Sequence, residues 1–194
     1  MMLRPLLRGL LLLVMAVAAL PSQGAEWNLD QLMQLMSQTH IAHASFTEQK
    51  SIAMLERPVE SSGELFYTAP DHLEKRTLQP KAESMQLDGG TLRIVQGDKN
   101  YVLQLQRYPE IAAFIASIRG TLAGDRQALE RSYALRLDGN RQDWTLLLTP
   151  KADKARKIVA QISISGTGNT LRSIRIQQAD GDSSLMTITQ LSSK

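Results

Sequence analysis

The fold of this chain is constrained most by a long series of short β-rich segments that turn-forming residues separate. Asp88-Gly89-Gly90 and Asp138-Gly139-Asn140 are two of these turns, and both suit tight connections between strands. Even spacing of such segments predicts one large antiparallel sheet or barrel, and therefore a mainly β fold. The predicted strands cover residues 62–68, 73–78, 84–87, 92–95, 101–105, 133–137, 144–148, 158–165, 171–177 and 185–191.

The clearest two-residue alternation lies in residues 158–165. A strand of this kind has one apolar face that covers a core and one polar face that meets water. A meander of this length is therefore expected either to close on itself or to curl around something. The apolar positions are Ile158, Ala160, Ile162 and Ile164, and the polar positions are Gln161, Ser163 and Ser165.

Residues 28–39 have the periodicity of a helix, because their apolar side chains recur every three to four positions. Asn28 or Asp30 can cap the start of this amphipathic helix. Its two methionines would suit a contact that adapts its shape, but we expect ordinary core packing. The apolar stripe consists of Leu29, Leu32, Met33 and Met36, with Leu35 beside it.

A second helix is predicted at residues 110–123, in the middle of the strand series. Pro109 suits its first turn, Gly120 and Gly124 permit a break or an end, and Asp125 can cap a further short helix. Such a helix must bury its apolar stripe against the apolar face of the sheet. It could be a permanent plug or a movable lid, and periodicity alone favours the plug. The stripe consists of Ile111, Phe114, Ile115, Ile118 and Leu122.

The first 25 residues predict a secretory signal peptide. Arg4 and Arg8 form its basic start, and residues 9–20 form an uncharged apolar run. This run is too short to span a bilayer comfortably, which disfavours a retained membrane anchor. We therefore expect residues 26–194 to form a single domain in the periplasm.

Removing the predicted signal peptide changes the charge of the chain. The sequence has 22 Lys and Arg against 19 Asp and Glu, and the segment takes away two Arg and no acid. The remaining 20 basic and 19 acidic side chains give a net charge of +1. With 5% aromatic residues, a near-neutral chain lacks the electrostatic footprint of a protein that binds nucleic acid.

The sequence contains no cysteine. The fold therefore depends on its hydrophobic core rather than on disulfides, and about 169 mature residues can bury roughly 70% of their unfolded surface. We also expect no acylated cysteine at the mature N-terminus.

Residues of catalytic or metal-binding type are present, but their spacing predicts no active site. His40 and His43 form an H-x-x-H pair, yet a zinc site needs three or four ligands, and neither cysteine nor a carboxylate cluster supplies the others. No G-x-S-x-G nucleophile motif occurs. The glycine-rich residues 166–169 lie between two predicted strands and indicate a turn rather than a phosphate loop. We expect no catalytic residue, no metal and no cofactor.

Four segments, in order, resemble the LolA/LolB family of bacterial lipoprotein carriers. "HASFTEQ" at residues 43–49 resembles the start of the first long strand of that family, directly after the N-terminal helix. "GELFYTAPDHL" at 63–73 resembles its Gly-x-Leu strand and Pro-centred turn. "LDGGTLRI" at 87–94 resembles its Asp-Gly turn and the following strand, and "WTLLLTPK" at 144–151 also fits. The likeness covers most of the mature chain.

The resemblance implies an incomplete antiparallel β-barrel that curls around an apolar cavity, with helices as a lid. Residues 111–122 then act as a lid rather than a plug. The resemblance also implies a protein that shields the acyl chains of a lipoprotein or lipid cargo between an inner-membrane exporter and an outer-membrane acceptor, and we expect the chain to be a monomer. The residues expected to contact the cargo are Phe46, Leu65, Tyr67, Leu73, Leu92, Ile94, Ile111, Phe114, Ile115, Ile118 and Leu122.

Three positions depart from the family pattern. Ala69 stands where the main carriers have an arginine linked to holding the lid closed, and Lys75 and Arg93 stand where they have aromatic residues. These departures leave two alternatives open. The chain could serve a glycolipid or aryl-polyene export system, or it could be a lipid-sensing module of the envelope that transports nothing. The missing cysteine separates it from a standard LolB, which is itself a lipoprotein.

Overall fold

The structure is a computed structural model that describes residues 27–191. The predicted signal peptide lies outside the described residues. Eleven strands are present: β1 (Ile41–Ser51), β2 (Val59–Thr68), β3 (His72–Gln79), β4 (Glu83–Asp88), β5 (Thr91–Gln96), β6 (Lys99–Gln104), β7 (Tyr133–Asn140), β8 (Asp143–Pro150), β9 (Val159–Thr167), β10 (Thr170–Gln178) and β11 (Ser183–Gln190). The helices are α1 (Leu29–Met36), α2 (Pro109–Ala123), α3 (Arg126–Ser132) and α4 (Asp153–Arg156), with a 3₁₀ turn at Leu105–Arg107.

All eleven strands belong to one antiparallel sheet. Its order is β6-β5-β4-β3-β2-β1-β11-β10-β9-β8-β7, so the first strand lies at the centre and pairs with the last. Within residues 27–191 the edge strands β6 and β7 do not pair, so the sheet stays open. The predicted antiparallel sheet is therefore confirmed as an open barrel, and the connection across the open side carries α2 and α3.

Helix α1 begins where its cap predicts. The Asn28 side chain accepts a hydrogen bond from the Gln31 backbone N–H at 3.0 Å, and the Gln31 side chain accepts one from Asn28 N–H in return. This reciprocal capping satisfies two backbone donors that the first turn of a helix leaves free. The predicted stripe is buried through Leu32, Met33 and Met36, which confirms core packing for both methionines.

Helix α2 ends against α1. Its C-cap residue, Gly124, has a φ of +65°, a conformation that favours glycine. A Cβ atom at this position would lie 2.1 Å from the Met33 carbonyl oxygen, so only glycine permits this approach. Asp125 then caps α3 by accepting a hydrogen bond from the Ala128 N–H at 2.8 Å. The C-terminal end of α2 is therefore fixed between two other helices.

The core is divided into a large and a small cluster. In the large cluster, α1 and α3 pack on strands β7–β10, and its fully buried members include Trp144 and Ile164. The small cluster contains only Leu87, Leu92 and Leu105 as buried residues, at the β4–β6 end of the sheet. The two clusters thus occupy opposite ends of one apolar sheet face.

The alternation predicted for residues 158–165 holds in only part of that segment. Ile162 and Ile164 are fully buried, but Ile158 lies before β9 and is 47% exposed, and Ala160 is also exposed. In β10, Gln177 pairs with Gln161 and the next residue pairs with Val159, so Ala160 is the extra residue of a β-bulge. A bulge shifts the alternation by one position, which is why the expected face was wrong for Ile158 and Ala160.

Candidate functional site

The main cavity lies between the inner face of the sheet and helix α2, and its volume is about 650 Å³. Most of its lining side chains are aliphatic, and they come from strands β1–β6, β10 and β11 as well as from α2. Lys50, Ser51 and Gln190 line the cavity and are exposed, so it reaches solvent at the sheet margins. A cavity of this size falls within the range of about 300–1,000 Å³ that small-molecule ligands occupy.

Two cross-strand rows form the wall of the cavity on strands β2–β5. In the first row, Tyr67 pairs with Leu73, which pairs with Leu87, which pairs with Leu92. The second row runs in the same way through Leu65, Lys75, Met85 and Ile94. All five wall residues that the sequence predicted on these strands lie in the two rows and line the cavity: Leu65, Tyr67, Leu73, Leu92 and Ile94.

Helix α2 covers the cavity with the stripe predicted for it. Ile111, Phe114, Ile115, Ile118 and Leu122 all line the cavity. Phe114, Ile118 and Leu122 also pack against the large core cluster, whereas Ile115 packs against the small one. The helix therefore spans the gap between the two clusters, and the cavity lies beneath it.

The far side of α2 is anchored by small residues. Ser117, Gly120 and Thr121 are buried, and a Cβ atom at Gly120 would lie 2.8 Å from the Leu129 side chain of α3. Burial beside this face raises the pKa of Tyr133, although a hydrogen bond with Ser117 opposes the shift. One face of α2 is therefore buried by close packing on α3, and another face carries the apolar stripe that lines the cavity.

A hydrogen bond connects α2 to the turn between β4 and β5. The Arg119 guanidinium Nη1 donates to the Gly89 carbonyl oxygen in the β4–β5 turn at 2.9 Å. Ala69, where the family arginine is missing, lies instead in the β2–β3 turn, and its N–H donates to the His40 carbonyl at 2.8 Å. Within residues 27–191, Arg119 therefore connects α2 to the margin of the sheet by a side-chain hydrogen bond.

Phe46 differs from the other ten predicted site residues. It lies on the inner face of β1 and is buried, but it is not among the cavity-lining residues. Its ring contacts Gly63 on β2, where a Cβ atom would approach the ring to 3.0 Å, and the Lys75 ammonium lies 4.8 Å from the ring centroid. Lys75 thus separates the Phe46 ring from the cavity. The ring packs behind the lining residues and supports them.

Lys75 also meets a buried carboxylate. Its Nζ lies 2.7 Å from Glu48 Oε2, and Lys50 Nζ lies 3.8 Å from Glu48 Oε1. The Glu48 side chain is only 6% exposed, and all three residues line the cavity. An ion pair therefore stands in an otherwise apolar wall.

Sequence reasoning missed the wall that β10 and β11 provide. Ile174 and Ile176 of β10 and Met186 and Ile188 of β11 all line the cavity. Each pair is spaced two residues apart, so both side chains of a pair lie on one face of their strand. That spacing was visible in the sequence, but the pairing that brings β11 beside β1 was not.

The histidine-containing segment at residues 43–49 forms part of β1 and has structural roles. The His43 ring stacks on Phe66 with centroids 4.3 Å apart, and its Nε2 lies 3.4 Å from Glu64 Oε1. Ser45 Oγ donates to the Thr189 carbonyl oxygen at 3.4 Å. Across residues 27–191, no three His, Asp or Glu side chains come together as potential metal ligands.

The departure at Arg93 lies away from the cavity. Arg93 is exposed on β5, whereas its neighbours Leu92 and Ile94 line the cavity. Of the two cations that replace family aromatics, only Lys75 changes the inner wall.

An open antiparallel sheet with a helix across an aliphatic cavity is the architecture that this chain presents. The family described as outer membrane lipoprotein carrier protein LolA-like matches residues 21–191, and this chain belongs to that family. A comparison with curated protein sequences gives no significant match. Among the helices of residues 27–191, none has both the length and the apolar character needed to cross a membrane.

Solved structures give similar folds at low sequence identity. A LolA superfamily protein from Nitrosomonas europaea is 8% identical over 87% of this chain and 95% of its own, with a TM-score of 0.44. A putative outer membrane lipoprotein-sorting protein domain from Vibrio parahaemolyticus is 10% identical over 86% and 92%, with a TM-score of 0.43. A chain of the Pseudomonas aeruginosa MucA/MucB complex is 16% identical over 84% and 55%, with a TM-score of 0.46.

Proposed function

We propose that this chain is a periplasmic carrier that shields the acyl chain of a lipoprotein or another amphiphilic lipid between the inner and the outer membrane. The observation that carries the proposal is the aliphatic cavity of about 650 Å³ that α2 covers with a continuous apolar stripe. Membership of the LolA-like family supports the same role. In this proposal the cavity and lid residues bind the cargo without any covalent chemistry.

The energetics of an acyl chain suit such a site. Each buried methylene contributes about 0.8 kcal/mol, so a chain of about 16 carbons contributes on the order of 10 kcal/mol. Binding of that strength without an opposing contribution would make release slow. A carrier therefore needs an unfavourable free-energy change that accompanies cargo binding and is reversed when the cargo leaves.

Displacement of α2 supplies that cost. Its stripe packs against both core clusters when the cavity is covered, and those contacts are lost when cargo takes their place. Its C-terminal end is fixed by Gly120 and Gly124, whereas Ile111 near the other end is 36% exposed. We infer that α2 opens from its N-terminal end, about the packed residues Gly120–Gly124.

Binding of a fluorescent fatty-acyl probe tests this function. Phe114→Glu and Ile118→Glu place a carboxylate in the cavity, so we expect probe affinity to fall at least tenfold. Ile41→Glu is the matched control, because Ile41 is 77% exposed and does not line the cavity. Circular dichroism shows whether each variant retains its sheet. Unchanged probe binding by folded Phe114→Glu and Ile118→Glu proteins would contradict the lid assignment.

A further inference from the structure

The cavity has one charged end, although most of its wall is aliphatic and the polar lining residues Thr39, Asn169 and Gln190 are neutral. Glu48 and Lys50 on β1 and Lys75 on β3 line this end. Neutral hydrogen-bonding groups line it too, and Asp182 supplies a second carboxylate that also accepts a hydrogen bond from the Ala53 N–H at 2.9 Å. The neutral groups are Ser51, Gln178, Ser183 and Ser184.

Strand register explains why these groups gather at one end. Lys50 pairs with Ser184, and Ser51 pairs with Ser183, where β1 ends and β11 begins. Farther along the same pair of strands, the inner face becomes apolar at Ile188. The charged residues of β1 and their serine neighbours on β11 therefore lie together at one end of the cavity, and only neutral Gln190 follows Ile188 on the lining of β11.

The buried ion pair carries a desolvation penalty that a wall in contact with hydrocarbon alone would not require. A buried pair loses hydration, and apolar side chains of similar volume commonly stabilise a fold as well or better. Glu48 is 6% exposed and Lys75 is 23% exposed, so both have lost much of their water. Their presence beside the cavity is explained if they meet a polar group of the ligand.

Resting on the proposed function, we propose that this end binds the headgroup of the acyl cargo, and that the headgroup is an uncharged hydrogen-bonding group such as a hydroxyl, ester or amide. At this end the carboxylates of Glu48 and Asp182 balance the ammonium groups of Lys50 and Lys75, while Glu74, a third carboxylate on the lining, is paired with Arg76. A charged headgroup would find no uncompensated partner here and would lose hydration. A hydroxyl can donate to Glu48 and accept from a lysine, while ester and amide carbonyls accept from a lysine.

Two sources share this headgroup chemistry. One is a neutral lipid such as a monoacylglycerol, and the other is the acylated N-terminus of a protein, where esters and amides follow the acyl chains. A monoacylglycerol and an N-palmitoyl peptide amide distinguish these sources when each competes for the same bound probe. Stronger competition by either one than by a charged ligand of the same chain length supports an uncharged headgroup, and the stronger of the two identifies the source.

Displacement of a fluorescent acyl probe by three competitors with one chain length tests the inference. The competitors are a monoacylglycerol, a fatty acid and an acyl amine, measured at about pH 8, where the acid is anionic and the amine is cationic. We expect the wild-type protein to bind the monoacylglycerol best, by roughly tenfold. Arg93→Met is the matched control, because Arg93 is exposed away from the cavity, and it should leave this order unchanged.

Single substitutions should change the preference in opposite directions. Glu48→Gln leaves two lysines without their buried carboxylate, so the fatty acid should gain about tenfold over the monoacylglycerol. Lys75→Met leaves Glu48 with only the more distant Lys50 as a cationic partner. The affinity for the acyl amine should then rise relative to the affinity for the monoacylglycerol. The double variant Glu48→Gln/Lys75→Met removes both charges and guards against a single variant that fails to fold. It should still bind the probe but discriminate less between headgroups.

The outcomes separate this inference from the proposed function. If folded variants bind the probe and rank the three competitors as the wild-type protein does, the charged end does not select the headgroup and the inference is overturned. If the folded wild-type protein binds no acyl ligand, the carrier function itself is overturned and the headgroup site with it.

Discussion

The two halves of the sheet have similar inner faces but different contents. Strands β7–β10 are covered by α1 and α3, and Trp144, Leu146 and Ile164 there are fully buried. Strands β2–β6 are also mostly apolar on this side, but among the described residues they are covered only by α2 and the short 3₁₀ turn, and few of their side chains are fully buried. The cavity therefore arises from the placement of the helices and not from a difference in the strands.

Both halves use the same local device to support their walls. Trp144 on β8 lies opposite Gly166 on the neighbouring strand β9, and Phe46 on β1 lies opposite Gly63 on β2. The Trp144 ring lies 2.4 Å from the position of a Cβ atom at Gly166, and the Phe46 ring lies 3.0 Å from that position at Gly63, where the Arg76 carbonyl oxygen is closer still. The wall is thus built alike on both sides, and what lies above it decides whether the region is a core or a binding site.

The largest expected effect comes from deleting the same methyl groups in the two halves. Ile164→Ala should lower the free energy of unfolding by about 2–5 kcal/mol, because it opens a void in a filled core. Ile94→Ala should cost roughly 1 kcal/mol, because that side chain already faces an empty space. Urea unfolding measures both values. Equal losses would show that the two halves are packed alike.

Enlarging the same two side chains sharpens the comparison. Ile164→Phe should destabilise the protein by about 1–3 kcal/mol through overpacking, whereas Ile94→Phe has room to extend into the cavity. The second variant should keep its stability within about 1 kcal/mol and bind the acyl probe more weakly. Full probe affinity in a stable Ile94→Phe protein would place the ligand elsewhere.

A pH-dependent contribution to the free energy of unfolding is expected from Glu74, in the half of the sheet that lines the cavity. Glu74 on β3 accepts hydrogen bonds from Arg76 at 2.6 Å and from Gln86 of β4 at 3.1 Å, and the bond from Arg76 is the main reason why the pKa of Glu74 lies below its usual range. A lowered pKa stabilises the fold at pH values above the unfolded pKa, and this contribution is lost as pH falls through the folded pKa.

Glu74→Gln measures that contribution. The variant should lose on the order of 1 kcal/mol at neutral pH. The difference from the wild-type protein should shrink as pH falls through the lowered folded pKa of Glu74, because the wild-type carboxyl is then protonated as well. A difference that stays constant down to pH 2 would mean that the charge of Glu74 makes no contribution.

The smallest stability effect is expected at the hydrogen bond between the lid and the sheet. Arg119→Met removes the bond to the Gly89 carbonyl and should cost about 1 kcal/mol or less. Because that bond favours the covered state, its loss should increase probe affinity several-fold. Weaker or unchanged binding, compared with an Arg93→Met control, would mean that Arg119 does not restrain the lid.

Much of the fold follows from local sequence patterns. The capping residues Asn28 and Asp125 and the period of the α2 stripe predict the main helices, and turn composition predicts the antiparallel strands. The pairing of β1 with β11 could not be predicted in this way, since the paired residues Ala44 and Gln190 are far apart in the chain. One whole wall of the cavity depends on that pairing.

Only part of the candidate site could be predicted, because some of its contacts also join residues that are far apart in the chain. The lid stripe and the wall residues on β2–β5 follow from periodicity together with the family resemblance. The ion pair of Glu48 with Lys75 and the bond from Arg119 to Gly89 join residues that are 27 and 30 positions apart. Contacts of this range depend on register and helix placement, which no local pattern specifies.

The most direct measurement is native mass spectrometry of the protein purified from its own cells. We expect the wild-type protein to retain an acylated molecule, and we expect Ile118→Glu protein to lose it while the exposed control Ile41→Glu keeps it. An empty wild-type protein, or equal retention by the Ile118→Glu variant, would contradict the claim that the cavity beneath α2 carries a lipid cargo.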